Sequence, residues 1–122
     1  PEHHFEVKLE MTWMLRLTHV VNALEARGYP VDGAVTFDVV DEHVPGNTGV
    51  YTLHVEGGRA RVTRYRGEHV IRTDIEHLST LFAGYRSAST LRATGGLTGS
   101  DEAVARAERL FVPRGPHMNH LF

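Results

Sequence analysis

Nine histidines and no cysteine are the first features of this 122-residue sequence that raise a question of chemistry. Two histidine pairs are close along the chain, His3 with His4, and His117 with His120 in the stretch HMNH. A helical pair three residues apart can share a metal ion, but Pro116 argues against a helix at that point. Thiolate ligands are excluded, and so are disulfides and thiol catalysis. We therefore predict surface or tail histidines and no metal site.

The stretch RARVTRYR carries four arginines and raises the question of nucleic-acid binding. In a strand, Arg59 and Arg61 lie on one face, and Arg64 and Arg66 lie on the other. Surfaces that bind nucleic acids instead gather cations and aromatic rings on one side. The net charge of the chain is −2, which differs from the basic balance of most nucleic-acid binders. We predict a solvated strand face and no nucleic-acid partner.

The stretch ATGGLTGS, residues 93–100, is rich in glycine and precedes a helix pattern, as phosphate-binding loops do. It lacks the lysine of a P-loop, and no parallel strand–helix unit precedes it. We favour a turn between two helices.

Serine, histidine and aspartate all occur in the chain, but no GxSxG signature connects them into a triad. The residues of this chain alone therefore predict no complete active site and no cofactor site.

Alternating and helical patterns indicate the elements that hold these residues. Residues 5–17, FEVKLEMTWMLRL, alternate as a half-buried strand does, and THVVNALEARGYP predicts a short helix that ends near Gly28. The stretches AVTFDVV, VYTLHVE, RARVTRYR and HVIRT alternate as further strands, with a Gly-Gly hairpin turn between the second and the third. We predict an antiparallel sheet of about five strands.

Helical spacing follows in the last part of the sequence. Thr73 and Glu76 have the form of a capping box, and an apolar stripe behind them extends to Phe82 and Tyr85. SASTLRAT predicts a second helix, and Ser100 begins a third helix with acidic residues in its first turn. Strands gathered before helices indicate an α+β fold, with the helices on one face of the sheet.

Length and composition are those of one globular domain. A chain of 122 residues buries roughly two-thirds of its unfolded surface. Hydrophobic residues make up 41% of the sequence and charged residues 23%, as in ordinary globular proteins. The apolar runs are far shorter than the ~20 residues of a transmembrane helix, and no signal peptide opens the sequence. We expect no membrane association and a cytoplasmic location.

Several stretches together carry a resemblance to a known family. SASTLRATGGLTGSDEAVARAERLF resembles the end of a sterol-carrier-protein-type domain, where a helix leads through a glycine turn into a final helix. WMLRLTHVVNALEARGYP is similar to the entry into that domain in the enhanced intracellular survival (Eis) acetyltransferases, and VPGNTG with VYTLHVEGGRARVTR resembles their central sheet. On this resemblance, residues 13–122 form the sterol-carrier-like domain and residues 1–12 a linker or lead-in strand.

The resemblance to Eis also implies a function. Eis-like proteins are GNAT-type N-acetyltransferases that assemble as multimers, bind acetyl-CoA in upstream domains and end in the sterol-carrier-like domain. Their final residue, here Phe122, is implied to be catalytic, because its α-carboxylate enters the active site as the base for the amine substrate. An upstream tyrosine is implied as the acid. The resemblance therefore implies upstream GNAT domains as partners, a homo-oligomer, and no activity for this chain alone.

A second interpretation is a stand-alone carrier of sterols or other lipids. Sterol-carrier-type domains hold an apolar tunnel between sheet and helices. The residues that could line such a tunnel here would be equally suited to an ordinary core; they are Phe82, Leu91, Leu97, Leu110 and Phe111. A scaffold with neither chemistry nor ligand is the third interpretation.

Overall fold

The computed structural model describes residues 19–112, so the predicted lead-in strand of residues 1–12 and both histidine pairs lie outside the described residues. A 3₁₀ turn, Pro45–Asn47, lies between the first two strands. No helix within residues 19–112 is long and apolar enough to cross a membrane. The order of helices and strands is α1 (Val20–Ala26), β1 (Gly33–Val40), β2 (Gly49–Glu56), β3 (Arg59–Thr63), β4 (Val70–Asp74), α2 (Ile75–Ala83), α3 (Ala88–Ala93), β5 (Leu97–Gly99) and α4 (Asp101–Leu110).

The strands form one five-stranded sheet in the order β3-β2-β1-β4-β5. This architecture confirms the predicted α+β fold with a sheet of about five strands. The predicted strand of residues 5–17 lies outside the described residues, and the fifth strand of the sheet, β5, was predicted as a turn. Neighbouring strands are antiparallel except for β1 and β4, which are parallel. The prediction of an entirely antiparallel sheet is therefore wrong for this central pair.

The parallel pair arises because the chain crosses the sheet between β3 and β4. Residues 64–69, which we call the strap, pass over the face of the sheet that the helices leave open, the outer face. There the Gly67 N–H donates to Thr36 Oγ1 (3.0 Å), and the His69 carbonyl accepts from the Thr36 N–H (2.8 Å). The strap takes the chain past β2 to the far side of β1. After such a crossover the next strand can run parallel to β1, which a tight hairpin does not allow.

The other face of the sheet, the inner face, is apolar and is covered by helices. Pairing places Phe37 of β1 beside Tyr51 of β2 and Ile71 of β4. Helix α1 lies against the edge strand β3, where the Glu25 carboxylate accepts from the Val62 N–H (2.9 Å). The buried apolar residues form a single cluster: Val20, Leu24, Val35, Phe37, Val39, Tyr51, Leu53, Val55, Ile71, Ile75, Leu78, Leu81, Ala88, Leu91, Leu97, Ala103, Val104, Ala107, Leu110 and Phe111.

Side-chain caps begin three of the helices. Asp74 accepts a backbone N–H in the first turn of α2, and Ser87 and Ser100 do the same for α3 and α4. The predicted cap at Ser100 is confirmed. The predicted cap at Thr73 is wrong because β4 continues to Asp74, so that Thr73 still belongs to the sheet.

Element ends differ from the sequence prediction at three places. Helix α1 ends at Ala26, and Arg27 is already extended (φ −79°, ψ 144°), so that Gly28 does not act as a left-handed cap. Helix α2 ends at Ala83 and is capped by Gly84 with φ 78°, which leaves Tyr85 54% exposed instead of in the apolar stripe. The glycine-rich stretch contains β5, which pairs with β4. Three residues are too few to reveal a strand by alternation.

Candidate functional site

Phe122, the predicted catalytic residue, lies outside the described residues. The described chain ends just after α4, with the buried Phe111 and the exposed Val112. The side chains around Phe111 are therefore the described environment from which the chain continues toward Phe122. We call them the aromatic junction; they are Arg27, Tyr29, Phe37, Phe82 and Phe111.

Ring contacts fix Phe111 inside the aromatic junction. Its ring meets Tyr29 edge to face (centroids 5.5 Å apart, 86°) and Phe37 in the same way (5.8 Å, 78°). Its backbone N–H donates to the Ala107 carbonyl (2.8 Å), so the residue also caps α4. Edge-to-face pairs of this kind stabilise beyond their buried area. The chain is thus held firmly at the end of α4.

Arg27 joins three helices at the junction. Its Cζ lies 5.1 Å from the centroid of the Phe111 ring, 5.3 Å from that of Tyr29 and 5.5 Å from that of Phe82. Its Nε donates to the Phe82 carbonyl (3.0 Å) in the last turn of α2, and its Nη1 donates to the Gly28 carbonyl (3.0 Å). The guanidinium charge is stabilised by the aromatic faces through cation–π interactions and by the negative end of the α2 dipole.

Tyr29 is the titratable group of this junction. Its hydroxyl donates to the Leu24 carbonyl (2.6 Å). Burial raises the pKa of Tyr29 well above its ordinary value, and the nearby Arg27 charge lowers it only in part. A phenol with so high a pKa is a poor proton donor at neutral pH. The geometry gives Tyr29 a structural part in the junction.

Apart from the aromatic junction, a cluster of polar groups is centred on Asp41, directly after β1. Asp41 is 2% exposed, and its carboxylate accepts from the backbone N–H groups of His43 and Val44 and from Asn47 Nδ2, all at 3.0 Å. The Asn47 carbonyl accepts in turn from the Tyr51 hydroxyl (2.8 Å). These bonds hold the predicted VPGNTG turn in one conformation.

Arg64 extends this cluster to a small cavity. Its Cζ lies 4.1 Å from the centroid of the Tyr51 ring, and its Nε donates to the Val50 carbonyl (2.9 Å). Burial raises the pKa of Tyr51, with opposing effects from Arg64, which lowers it, and Asp41, which raises it. The cavity measures about 160 Å³ and is lined by His19, Val20, Val21, Asn22, Gly46, Asn47, Tyr51 and Arg64.

An acidic cavity of about 120 Å³ lies where the parallel strands β1 and β4 end. The His77 Nδ1 beside it contacts both carboxylate oxygens of Asp74, at 2.8 and 3.0 Å. The Asp74 carboxylate also caps α2, which accounts for this pair structurally. In the part of the chain from 19 to 112, no three His, Asp or Glu side chains are grouped to hold a metal ion.

The glycine-rich stretch is shaped by packing. A Cβ at Gly96 would lie 2.5 Å from His77 Cδ2, and one at Gly99 would lie 3.2 Å from the Val70 carbonyl. Gly95 has φ 89°, as a turn requires. These contacts explain the three glycines without a phosphate, so the stretch does not fit a phosphate-binding role.

The predicted tunnel residues lie in the core. Leu91, Leu97, Leu110 and Phe111 are all buried, and Phe82 packs against them while partly exposed. None of these residues lines either cavity described above. Their packing favours the interpretation as ordinary core.

Sequence reasoning missed Arg27 and Asp41. Asp41 carried a usable signal, since an aspartate shortly before a proline–glycine turn often accepts backbone N–H groups within that turn. Arg27 carried no such signal, because the three aromatic rings that it contacts, at positions 29, 82 and 111, come together only in the folded chain.

Comparison with known proteins identifies the domain. The sequence profile of the sterol carrier protein domain matches residues 20–119. The chain belongs to the sterol carrier protein domain family. The matched residues include every described helix and strand.

Relatives of this sterol carrier protein domain are acetyltransferases. The N-acetyltransferase Eis of Mycobacterium tuberculosis (strain ATCC 25177 / H37Ra) is 37% identical over 92 residues, which are 75% of this chain and 22% of that protein. The chain thus spans about a fifth of the length of the curated relatives that it matches. The resemblance predicted from the sequence is confirmed.

Solved structures agree with this assignment. A GCN5-related N-acetyltransferase from Anabaena variabilis superposes with a TM-score of 0.77 and 31% identity, covering 83% of this chain and 26% of that one. Eis1 from Mycobacterium abscessus gives a TM-score of 0.68 and 28% identity, with 82% and 25% covered. In both proteins the sterol-carrier-like domain corresponds to about a quarter of the chain.

Proposed function

We propose that this sterol-carrier-like chain is a domain of an Eis-type, GNAT-type N-acetyltransferase. The observation that carries the proposal is the 37% identity with Eis over 92 residues, which agrees with the superposition on GCN5-related N-acetyltransferases. The proposal includes upstream GNAT domains in the same polypeptide, a homo-oligomeric assembly and a cytoplasmic location.

Acetyl-CoA is proposed to bind to the upstream GNAT domains and not to this chain. Residues 93–100 are the glycine-rich stretch that could have held its phosphates, and their glycines are accounted for by close packing and a turn. Acetyl-CoA supplies the acetyl group when bound. The part of the domain described here would then contribute to the acetyltransferase by its surfaces and by the chain that leaves α4.

Phe122 is proposed to supply its α-carboxylate to the acetyltransferase active site. Phe111 is buried and held by ring contacts, so it offers a fixed origin for the residues that follow. Phe122 lies eleven positions further along the chain, so eleven Cα-to-Cα steps connect the two residues. Fully extended, they reach at most about 40 Å. The proposal requires Phe122 to be the last residue of the natural polypeptide.

Proton energetics limit what this carboxylate can do. A free α-carboxyl group has a pKa near ~3.5 and an alkylammonium near ~10, so direct transfer between them costs about 9 kcal/mol. Desolvation beside the phenyl ring would raise the pKa of the carboxyl group, and an apolar pocket would lower that of the amine. Alternatively, the carboxylate attracts and orients the ammonium while water carries the proton. In both mechanisms the buried phenyl ring holds the carboxylate in place, and burial of the ring contributes about 1.5–3 kcal/mol of free energy.

The test compares the natural polypeptide with the 122-residue chain. We expect the polypeptide to acetylate primary amines with acetyl-CoA, and the chain alone neither to acetylate nor to bind acetyl-CoA. Turnover by the chain alone, or an encoded polypeptide without an acetyltransferase region, contradicts the proposal. Titration of the chain with a fluorescent fatty acid is the parallel experiment, in which saturable micromolar binding would favour the lipid-carrier alternative.

A further inference from the structure

The strap, residues 64–69, is held rigidly on the outer face of the sheet. The Gly67 N–H donates to Thr36 Oγ1, and Thr52 Oγ1 donates to the Tyr65 carbonyl in a short hydrogen bond. Arg64, at the start of the strap, stacks on the ring of Tyr51, whose side chain lies on the inner face. The Arg66 Nη2 contacts Asp38 Oδ2 at 3.1 Å. The backbone on both sides of Tyr65 is therefore fixed.

The side chain of Tyr65 is not held in this way. It is 81% exposed, more than any other large apolar or aromatic side chain within residues 19–112. An exposed ring on a fixed backbone loses little further entropy when a partner binds it. Tyrosine and arginine are also the residues that most often dominate protein interfaces. Tyr65 thus has the properties of an interface anchor.

The charge around Tyr65 indicates the character of its partner. Residues 59–72 contain five arginines and one carboxylate, Glu68, although the whole chain has a net charge of −2. Arg66 and Arg72 both approach Asp38. Arg59 and Arg61 are exposed and have no ion-pair partner within 4 Å among the described residues. A complementary surface would be acidic.

We propose that Tyr65 and the outer-face arginines of this stretch, Arg59, Arg61, Arg66 and Arg72, dock on an acidic surface of the acetyltransferase region of the same polypeptide. This inference rests on the proposed function. The similar acetyltransferase structures are about four times as long as the domain they share with this chain, so a large part of each lies outside it. The helices cover the inner face of the sheet, whereas the outer face offers a fixed aromatic anchor near Arg59 and Arg61, which have no ion-pair partner within residues 19–112.

The experiment measures the modification rate of each tyrosine in the natural polypeptide, with tetranitromethane as reagent and mass spectrometry as readout. Tyr85, which is 54% exposed at the end of α2, serves as the internal control. In an undocked domain Tyr65 would react at least as fast as Tyr85. We expect Tyr65 to react at least tenfold more slowly than Tyr85. Equal or faster reaction of Tyr65 would overturn the inference.

Two variants test the anchor itself. Tyr65→Ser should increase limited proteolysis between this domain and the acetyltransferase region by about tenfold, whereas Tyr65→Phe and the matched control Tyr85→Ser should not. Unchanged proteolysis in Tyr65→Ser overturns the inference. Because the Tyr65 side chain is exposed, its replacement should not alter the melting temperature of the domain.

Other outcomes separate this inference from the proposed function. If the polypeptide acetylates amines while Tyr65 reacts freely, docking by this face is wrong and the proposed function stands. If Tyr65 is protected in a polypeptide without acetyltransferase activity, docking stands and the proposed function fails. Protection that disappears on dilution assigns the face to a second copy of the chain. Protection that requires an added oligonucleotide assigns it to nucleic acid. Each of these last two results overturns the inference.

Discussion

The two faces of the sheet are held together by different means. On the inner face, Phe37 and Leu53 are fully buried beneath the helices, and the Phe37 ring contacts Phe111 within the aromatic junction. On the outer face, Thr36 and Thr52 are also almost fully buried, but the strap covers them and hydrogen bonds hold it in place. Burial of apolar area is non-directional, whereas hydrogen bonds require defined geometry. The inner face therefore stabilises the domain, and the outer face fixes its topology.

A short relay of hydrogen bonds illustrates the outer face. The Thr52 hydroxyl gives its one proton to the Tyr65 carbonyl. Thr36 must therefore be the donor in the 2.7 Å contact between the two hydroxyl groups, and it accepts in turn from the Gly67 N–H. The relay satisfies polar groups that the strap removes from water. It also fixes the position of β4 beside β1.

The largest predicted effect concerns the inner face. Phe111→Ala should destabilise the chain by about 3–5 kcal/mol, because it removes a fully buried ring and leaves a cavity in the aromatic junction. Urea denaturation of the 122-residue chain measures this difference. The neighbouring variant Val112→Ala, at a residue 53% exposed, should stay within about 0.5 kcal/mol of the parent chain. Similar losses in the two variants would contradict the description of the junction.

The outer face should respond most to Gly67→Ala. A Cβ at position 67 would lie 2.6 Å from Thr36 Oγ1, so the strap must shift and its hydrogen bonds must weaken. We expect a loss of about 1–3 kcal/mol in urea denaturation. Gly28→Ala is the matched control, because a Cβ there meets nothing within 4 Å. An equally small effect of both substitutions would show that the strap is not held as described.

The hydroxyl relay predicts a smaller and coupled effect. Thr36→Val and Thr52→Val should each cost about 1–2 kcal/mol, because each leaves a polar group of the strap without its partner. In the double variant the losses should fall short of additivity by at least about 0.5 kcal/mol, since the second substitution removes a relay that is already broken. Strict additivity would indicate that the two hydroxyl groups act independently.

Alkaline pH tests the inner face with the smallest expected effect. Burial raises the pKa of Tyr29, whereas in the unfolded chain the phenol ionises near its ordinary value. Burial of the neutral phenol therefore contributes its full share to the free energy of unfolding below pH ~10. Above that pH the unfolded chain loses the phenol proton first, so the free energy of unfolding falls by up to about 1.4 kcal/mol per pH unit. Tyr29→Phe should lose less stability than the parent chain between pH 9 and 11. Parallel pH profiles of the two chains would contradict the assigned burial.

Local patterns predicted much of the fold. Alternation located the four longer strands, and the Gly57–Gly58 hairpin turn was predicted correctly, since both glycines have positive φ (58° and 81°). Serine at position 100 also predicted the start of α4. These features depend on residues a few positions apart, and such information is present in the sequence itself.

The failures concern contacts between distant positions. The parallel pairing of β4 depends on bonds between the strap and Thr36, about thirty residues earlier. The aromatic junction brings together Arg27, Phe82 and Phe111, which no local pattern connects. The Thr73 cap was misplaced because pairing with β1 extends β4 to Asp74, and Thr73 itself pairs with β5. The role of Phe122 came from family resemblance alone and stays a prediction.

The most direct measurement concerns the chain end of the natural polypeptide. Two glycines added after Phe122 move the α-carboxylate without changing any described residue. We predict a fall in kcat on the order of 10²-fold or more, as for loss of a general base, with an unchanged melting temperature. Phe122→Leu, which keeps an apolar anchor and the terminal carboxylate, should retain most of the activity. An extended enzyme that acetylates amines at the parent rate would contradict the role proposed for Phe122.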